Sequence, residues 1–129
     1  MAEITVADSA GFCFGVDRAV KLCYQALKTY PKVATLGPII HNQSVVDDLK
    51  KNGARIVNAI AELEPDECVV IRSHGVSRSV YDQLAACGNP YVDATCPFVA
   101  KIHDVVEKHT KNGDIVLIAG DAKHPEVEA

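Results

Sequence analysis

The sequence predicts an α/β fold: repeated strand–helix units around a largely parallel sheet, with one complete unit and the start of a second. Two observations predict it. Short β-branched runs alternate with stretches of helical periodicity along the whole chain. Three helix-to-strand joins also share one pattern: Lys51-Asn52-Gly53, Ala86-Cys87-Gly88 and Lys111-Asn112-Gly113. Each puts glycine where the residue after a helix turns left-handed, with a strand a few residues on. Strands joined through helices require right-handed crossovers, so the strands lie parallel and the helices cover their faces.

The elements follow in order. Residues 4–7 read as a strand, with Ile4, Thr5 and Val6 supplying β-branched bulk, and lead into a loop punctuated by Gly11 and Gly15. A helix is predicted over 16–27, a strand over 33–36, and a helix over 44–51. Short strands follow at 55–57 and 69–72. A helix over 79–86 leads to a strand at 91–92. A longer helix over 98–111 opens just after Pro97, a favoured residue at helix starts. A strand at 115–119 is the last element expected.

Composition narrows the function classes. The 129 residues are 48% hydrophobic and 23% charged, ordinary globular usage for about one domain. A net charge of −4 and thirteen scattered basic residues argue against nucleic acid as a partner. No apolar run approaches the roughly 18 residues of a membrane-spanning helix, and the first residues do not read as a signal peptide. Five cysteines, an odd number in no dense framework, read as free thiols in a reducing compartment. The expected location is the cytoplasm.

In an open parallel sheet, ligands bind beyond the carboxyl ends of the strands. The segments following the predicted strands carry Cys13, His41, His74, Cys96, and His124 with Glu126. Cys13 and Cys96 each precede a predicted helix, where backbone N–H groups and the helix dipole favour a thiolate. A soft thiolate pair suits zinc or an iron–sulfur cluster, while small buried packing residues are the bland alternative. Cys23, Cys68 and Cys87 lie within helical patterns or at a strand start and read as packing residues. The three strand-end histidines suit donors converging on a multi-oxygen anion, against the alternative of ordinary loop residues. His103 and His109 fall inside a predicted helix and read as solvated or packing residues. Glu126 is a candidate proton source beside His124. A glycine-rich phosphate loop, a dinucleotide fingerprint and a Cys-x-x-Cys pair are all absent.

Five segments together resemble the LytB/IspH family, the 4-hydroxy-3-methylbut-2-enyl diphosphate reductases. They are Ala10 to Ala19 (Ala-Gly-Phe-Cys-Phe-Gly-Val-Asp-Arg-Ala), Gly37 to Asn42, Arg72 to Val76, Asp93 to Pro97, and Gly120 to Val127. The resemblance runs essentially end to end and implies a 4Fe-4S reductase of three similar α/β units. Such an enzyme removes the allylic hydroxyl of its diphosphate substrate, giving isopentenyl and dimethylallyl diphosphate, the last step of the non-mevalonate isoprenoid pathway. By motif, Cys13 and Cys96 match two of three cluster-ligating cysteines, His41, His74 and His124 match diphosphate-binding residues, with His124 also near the substrate hydroxyl, and Glu126 matches the carboxylate that delivers protons; Glu126 and His124 are the implied catalytic residues. Ferredoxin or flavodoxin is the implied electron donor, and no membrane partner is implied.

The same resemblance implies a longer parent protein, with a third cluster cysteine beyond Ala129. On that reading residues 1–13 pack with a third unit, 14–96 form a complete unit, and 97–129 open a second; the chain alone is expected to be inactive. Two rival classes are a non-catalytic diphosphate-binding module using the same histidines, and a cysteine hydrolase with Cys13 activated by histidine.

Overall fold

The computed structural model describes residues 2–129. Ten helical or extended elements occur among them. Helix α1 spans Phe14–Thr29, strand β1 Val33–Leu36, α2 Gln43–Lys51 and β2 Ala54–Val57. A short 3-10 turn at Ile60–Glu62 precedes β3, Cys68–Ile71. Then come α3 at Arg78–Cys87, β4 at Tyr91–Asp93, α4 at Pro97–Lys111 and α5 at Pro125–Glu128.

The four strands form one sheet in the order β2-β1-β3-β4, every pairing parallel. Pleating sends successive side chains to opposite faces. Val33 therefore joins Cys68 and Val70 under α1 and α2, in a core with Ala19, Cys23, Ala26 and Leu49. Ala34 and Leu36 face the other way with Val69 and Ile71, against Val76, Leu84 and the 3-10 turn at Ile60. Both faces are covered, which is why β1 and β3 are apolar throughout or nearly so and buried at every position. Gly53, Gly88 and Gly113 take the expected left-handed conformation, with φ of +100°, +76° and +84°, but a strand follows only the first two. At the amino edge of the sheet Glu67, 3% exposed, accepts from Arg55 at 2.7 and 3.1 Å and from the Glu64 N–H at 2.9 Å. Arg55 and the Glu64 N–H hold its carboxyl below the usual carboxylate range.

Two expected strands do not form. Residues 4–7 and 115–119 take no sheet pairing, and Ile4, Ile115 and Leu117 are 88%, 91% and 92% exposed. β-Branched composition records only that a segment fits a pleated, half-buried surface. A ladder also needs a neighbour, and neither β2 nor β4 receives either segment. Conversely, the 3-10 turn and α5 were not expected; each is four residues or fewer, too short to show periodicity.

Leu84, 1% exposed, is the main contribution of α3 to the sheet. Leu84→Ala is expected to destabilise the chain by about 2–4 kcal/mol, since the strands it packs on cannot collapse into the space. Urea denaturation of the two proteins measures it.

Candidate functional site

Strand order puts a switch point between β1 and β3. From β1 the chain moves outward to β2, then crosses back over β1 to β3 and on to β4. Loops leaving β1 and β3 thus diverge and open a crevice at the carboxyl edge. His41 lies in the first loop and His74 in the second, their ring centroids 4.5 Å apart. His124, the residue before α5, brings a third ring 6.3 Å from His74. The edge therefore gathers the three histidines the sequence singled out, although the 115–119 segment expected to deliver His124 is not a strand.

Local hydrogen bonds set each ring. Asn42, directly after His41, caps α2 by accepting from the Val45 N–H at 3.1 Å. This fixes His41 at the positive end of that helix. His124 Nδ1 accepts from the Glu126 N–H at 3.2 Å. With Nδ1 used as an acceptor, the neutral ring carries its proton on Nε2. That N–H is then free to donate to a ligand oxygen. His74 is half-buried, and its Nδ1 has no protein partner. Burial, then the adjacent His41, hold its pKa below the usual histidine range, with Arg72 and His124 acting the same way and Glu126 opposing.

The two singled-out cysteines occupy equivalent places. Cys13 is the N-cap of α1 and Cys96 the N-cap of α4. Neither side chain makes a capping hydrogen bond, so both sulfurs remain free to take a ligand. Because α1 leads into β1 and packs against the sheet, it runs antiparallel to the strands and its first turn lies at their carboxyl ends. Cys13 reaches the edge by that route and not, as the sequence implied, from the end of a strand. Cys96 Sγ rests against Gly15 in the first turn of α1, so the two cysteine loops meet.

Hydrogen bonds beyond the strand ends tie these loops together. The Ser73 N–H and hydroxyl both donate to Ile39 C=O, at 3.3 and 3.2 Å. The Cys96 N–H donates to Ser73 C=O at 2.9 Å, and Arg18 of α1 donates to Thr95 C=O at 3.1 Å. Asp93 accepts from the Thr95 N–H at 2.9 Å, from the Thr95 hydroxyl at 2.5 Å and from Tyr81 at 2.8 Å. Burial and Asp93 push the Tyr81 phenol up to about 12, which keeps it a neutral donor.

The remaining cysteines stand apart. Cys23 lies ten residues along α1 from Cys13, ~15 Å at helical rise. Cys68 opens β3 at the opposite edge, and Cys87, expected to pack, ends α3 just before β4 and is exposed. Burial pushes the Cys23 and Cys68 thiols up to about 11, making them inert packing groups as expected. His109 pairs with Asp114 on the surface at 2.7 Å. His103 packs under Gly75, so it supports the His74 loop from α4. Asn42, Ser73 and Arg18 carried no singled-out role in the sequence, although each lies in a segment that holds a residue that did.

The carboxyl edge thus carries two thiols without capping hydrogen bonds and three neighbouring imidazoles. No group of three or more Cys, His, Asp or Glu side chains among the described residues is arranged to hold a metal ion. No described helix is long and apolar enough to cross a membrane.

Fold and site define an α/β protein with a cysteine–histidine cleft at the carboxyl edge of a parallel sheet. The profile of the LytB protein family matches residues 4–129, and the chain belongs to that family. It is 43% identical to a 4-hydroxy-3-methylbut-2-enyl diphosphate reductase of Caldanaerobacter subterraneus, over 97% of this chain and 45% of that one. A reductase of the same name from Alkaliphilus oremlandii is 44% identical, with the same coverage. Among solved structures, one of (E)-4-hydroxy-3-methyl-but-2-enyl diphosphate reductase, the terminal enzyme of the non-mevalonate pathway, aligns with a TM-score of 0.83 and 43% identity. The alignment covers 99% of this chain and 46% of that one. The E-1-hydroxy-2-methyl-but-2-enyl-4-diphosphate reductase of Plasmodium falciparum aligns with a TM-score of 0.86 at 29% identity, over 93% and 38%. The chain spans a little under half the length of these relatives.

The His74 environment makes a signed prediction. A depressed histidine pKa means the stability it contributes is full above the ordinary value of about 6.5 and lost as pH falls through the lower folded value. Proton NMR should therefore find His74 titrating below about 6.5. His41→Ala should raise its midpoint, Glu126→Gln should lower it, and added pyrophosphate should raise it.

Proposed function

We propose that this chain forms one wall of the active site of a 4-hydroxy-3-methylbut-2-enyl diphosphate reductase. The reading is supported by two helix-cap thiols free of capping hydrogen bonds and by three neighbouring imidazoles, carried on loops at one sheet edge. Cys13 and Cys96 fit a 4Fe-4S cluster in chemistry and place: both are free, and glycine at position 15 lets the backbone approach closely. Two thiolates are one short of the set that leaves a single iron open, so the third comes from chain outside these residues. Cys13 and Cys96 would hold such a cluster, which would supply electrons and Lewis acidity toward the substrate hydroxyl.

The chain's own residues do the rest. His41, His74 and His124 surround the diphosphate, and the capped start of α2 adds its dipole to theirs. Half-buried beside them, His74 counts for more as a donor than it would in water. His124 presents its Nε2 proton to a substrate oxygen. Glu126, held beside it at the start of α5, delivers a proton to the departing oxygen. Overall the allylic C–O bond breaks, two electrons and two protons enter, and water leaves with isopentenyl or dimethylallyl diphosphate. Ferredoxin or flavodoxin delivers the electrons. Five cysteines outside any disulfide suit a reducing cytoplasm.

The apolar residues left exposed support a reading of the organisation. Residues 14–96 form the complete unit, whereas 1–13 and 97–129 belong against further chain. Phe98, Ile102 and Val105 share one face of α4 and are exposed, as are Ile115 and Leu117. A segment of strand composition gains its ladder only when a neighbour arrives.

The test is anaerobic reconstitution with iron and sulfide, run on the full-length protein. Broad brown absorbance is expected, with iron retention lost or cut several-fold in Cys13→Ser and Cys96→Ser. Glu126→Gln should keep its iron yet turn over on the order of 10²–10⁴-fold more slowly. A colourless protein that still binds diphosphate would overturn the reductase reading in favour of an anion-binding module. The 129-residue chain alone is expected to show no turnover.

A further inference from the structure

We propose that Gly15 and Arg18, on successive turns of α1, are positioning residues that seat the Cys96 thiol beside Cys13. The inference rests on the cluster reading above and goes beyond it by naming what sets the spacing of the two thiolates. Gly15 is buried at the second position of α1. A Cβ there would lie well inside van der Waals contact of Cys96 Sγ, 3.0 Å from its Cβ and 3.8 Å from its Cα. Sulfur and helix thus occupy the space that any other side chain would need. Gly15 is not one of the positive-φ glycines, so its backbone does not require glycine. Helix propensity alone favours alanine at such a position. The requirement is for the missing methyl. One turn on, Arg18 is half-buried and donates to Thr95 C=O at 3.1 Å, holding the residue before Cys96 against the same helix. From the other side the Cys96 N–H is held by Ser73 C=O at 2.9 Å. Clamped between α1 and the β3 loop, the Cys96 backbone cannot follow a sulfur displaced by a methyl group.

Neither residue touches substrate, so both act through Cys96, and the test reads the thiol directly. Gly15→Ala and Arg18→Met are compared with the parent protein and with Gly53→Ala. Gly53 has φ +100° and open space around it, so alanine there strains the backbone at the opposite edge without approaching either thiol. Four quantities are measured: melting temperature, iron retained after anaerobic reconstitution, the EPR spectrum of the reduced protein, and the Cys96 alkylation rate without iron, resolved by peptide mass spectrometry. The proposal expects both α1 variants to lose iron several-fold and change the EPR line shape. It also expects Cys96 to alkylate several-fold faster, with melting temperatures no lower than that of Gly53→Ala. Unchanged iron, spectrum and alkylation in a folded Gly15→Ala protein would overturn it. So would changes that Gly53→Ala reproduces. If Gly15→Ala does not fold, Arg18→Met decides by the same readouts. If the parent takes up no cluster, the cluster reading fails, and the alkylation rates still decide whether Gly15 seats the thiol.

Discussion

Hydrogen bonding that continues past the ends of the strands is the constraint on which this site depends. The chain from Ile39 C=O through Ser73 to the Cys96 N–H links the loops after β1, β3 and β4. Arg18 then fastens the last of them to α1. Each bond is worth only about 0.5–1.5 kcal/mol net. Their joint effect is geometric: three loops that would otherwise be independent are tied to one another and to α1 as an extension of the sheet. Ser73 and Thr95 are buried polar residues at that edge, and both are fully engaged in the network. Loops carrying chemistry are usually mobile; these are held to the precision a multi-atom ligand needs.

The same rigidity explains why buried nitrogens lack protein partners in this region. Arg72 Nε, His74 Nδ1 and His103 Nε2 are the buried side-chain nitrogens without a partner among the described residues. All three belong to the loop after β3 or to the helix packed on it. A buried polar atom left unpaired costs stability, and departures from full pairing concentrate where a structure serves a ligand. The crossover that brings His41 to 4.5 Å from His74 adds to the burial that holds the His74 ring below the usual histidine range.

Much of this was legible in the sequence, and the failures have a common cause. The central strands, the helices and the left-handed glycines at 53, 88 and 113 follow from local composition and periodicity, because their partners lie within the same unit. Residues 4–7 and 115–119 have the same β-branched character and form no strand, because pairing is a relation between segments. Cys13, Cys96, His41, His74 and His124 could be picked out by residue type and by the loops they occupy. What converges them could not. Ser73 and Arg18 act through backbone carbonyls that sequence does not display, and Gly15 acts by having no side chain at all. The strand order that opens the crevice between β1 and β3 is a property of topology alone.

The central claim is that this edge brings the Cys13 and Cys96 thiols together before any ligand is bound. A short bifunctional thiol reagent such as dibromobimane, applied to the iron-free protein and followed by peptide mapping, tests it most directly. The account predicts one dominant bridged product, Cys13 joined to Cys96, with Cys23 and Cys68 unmodified under native conditions. Single adducts on Cys13 and Cys96 without a bridge between them would contradict it.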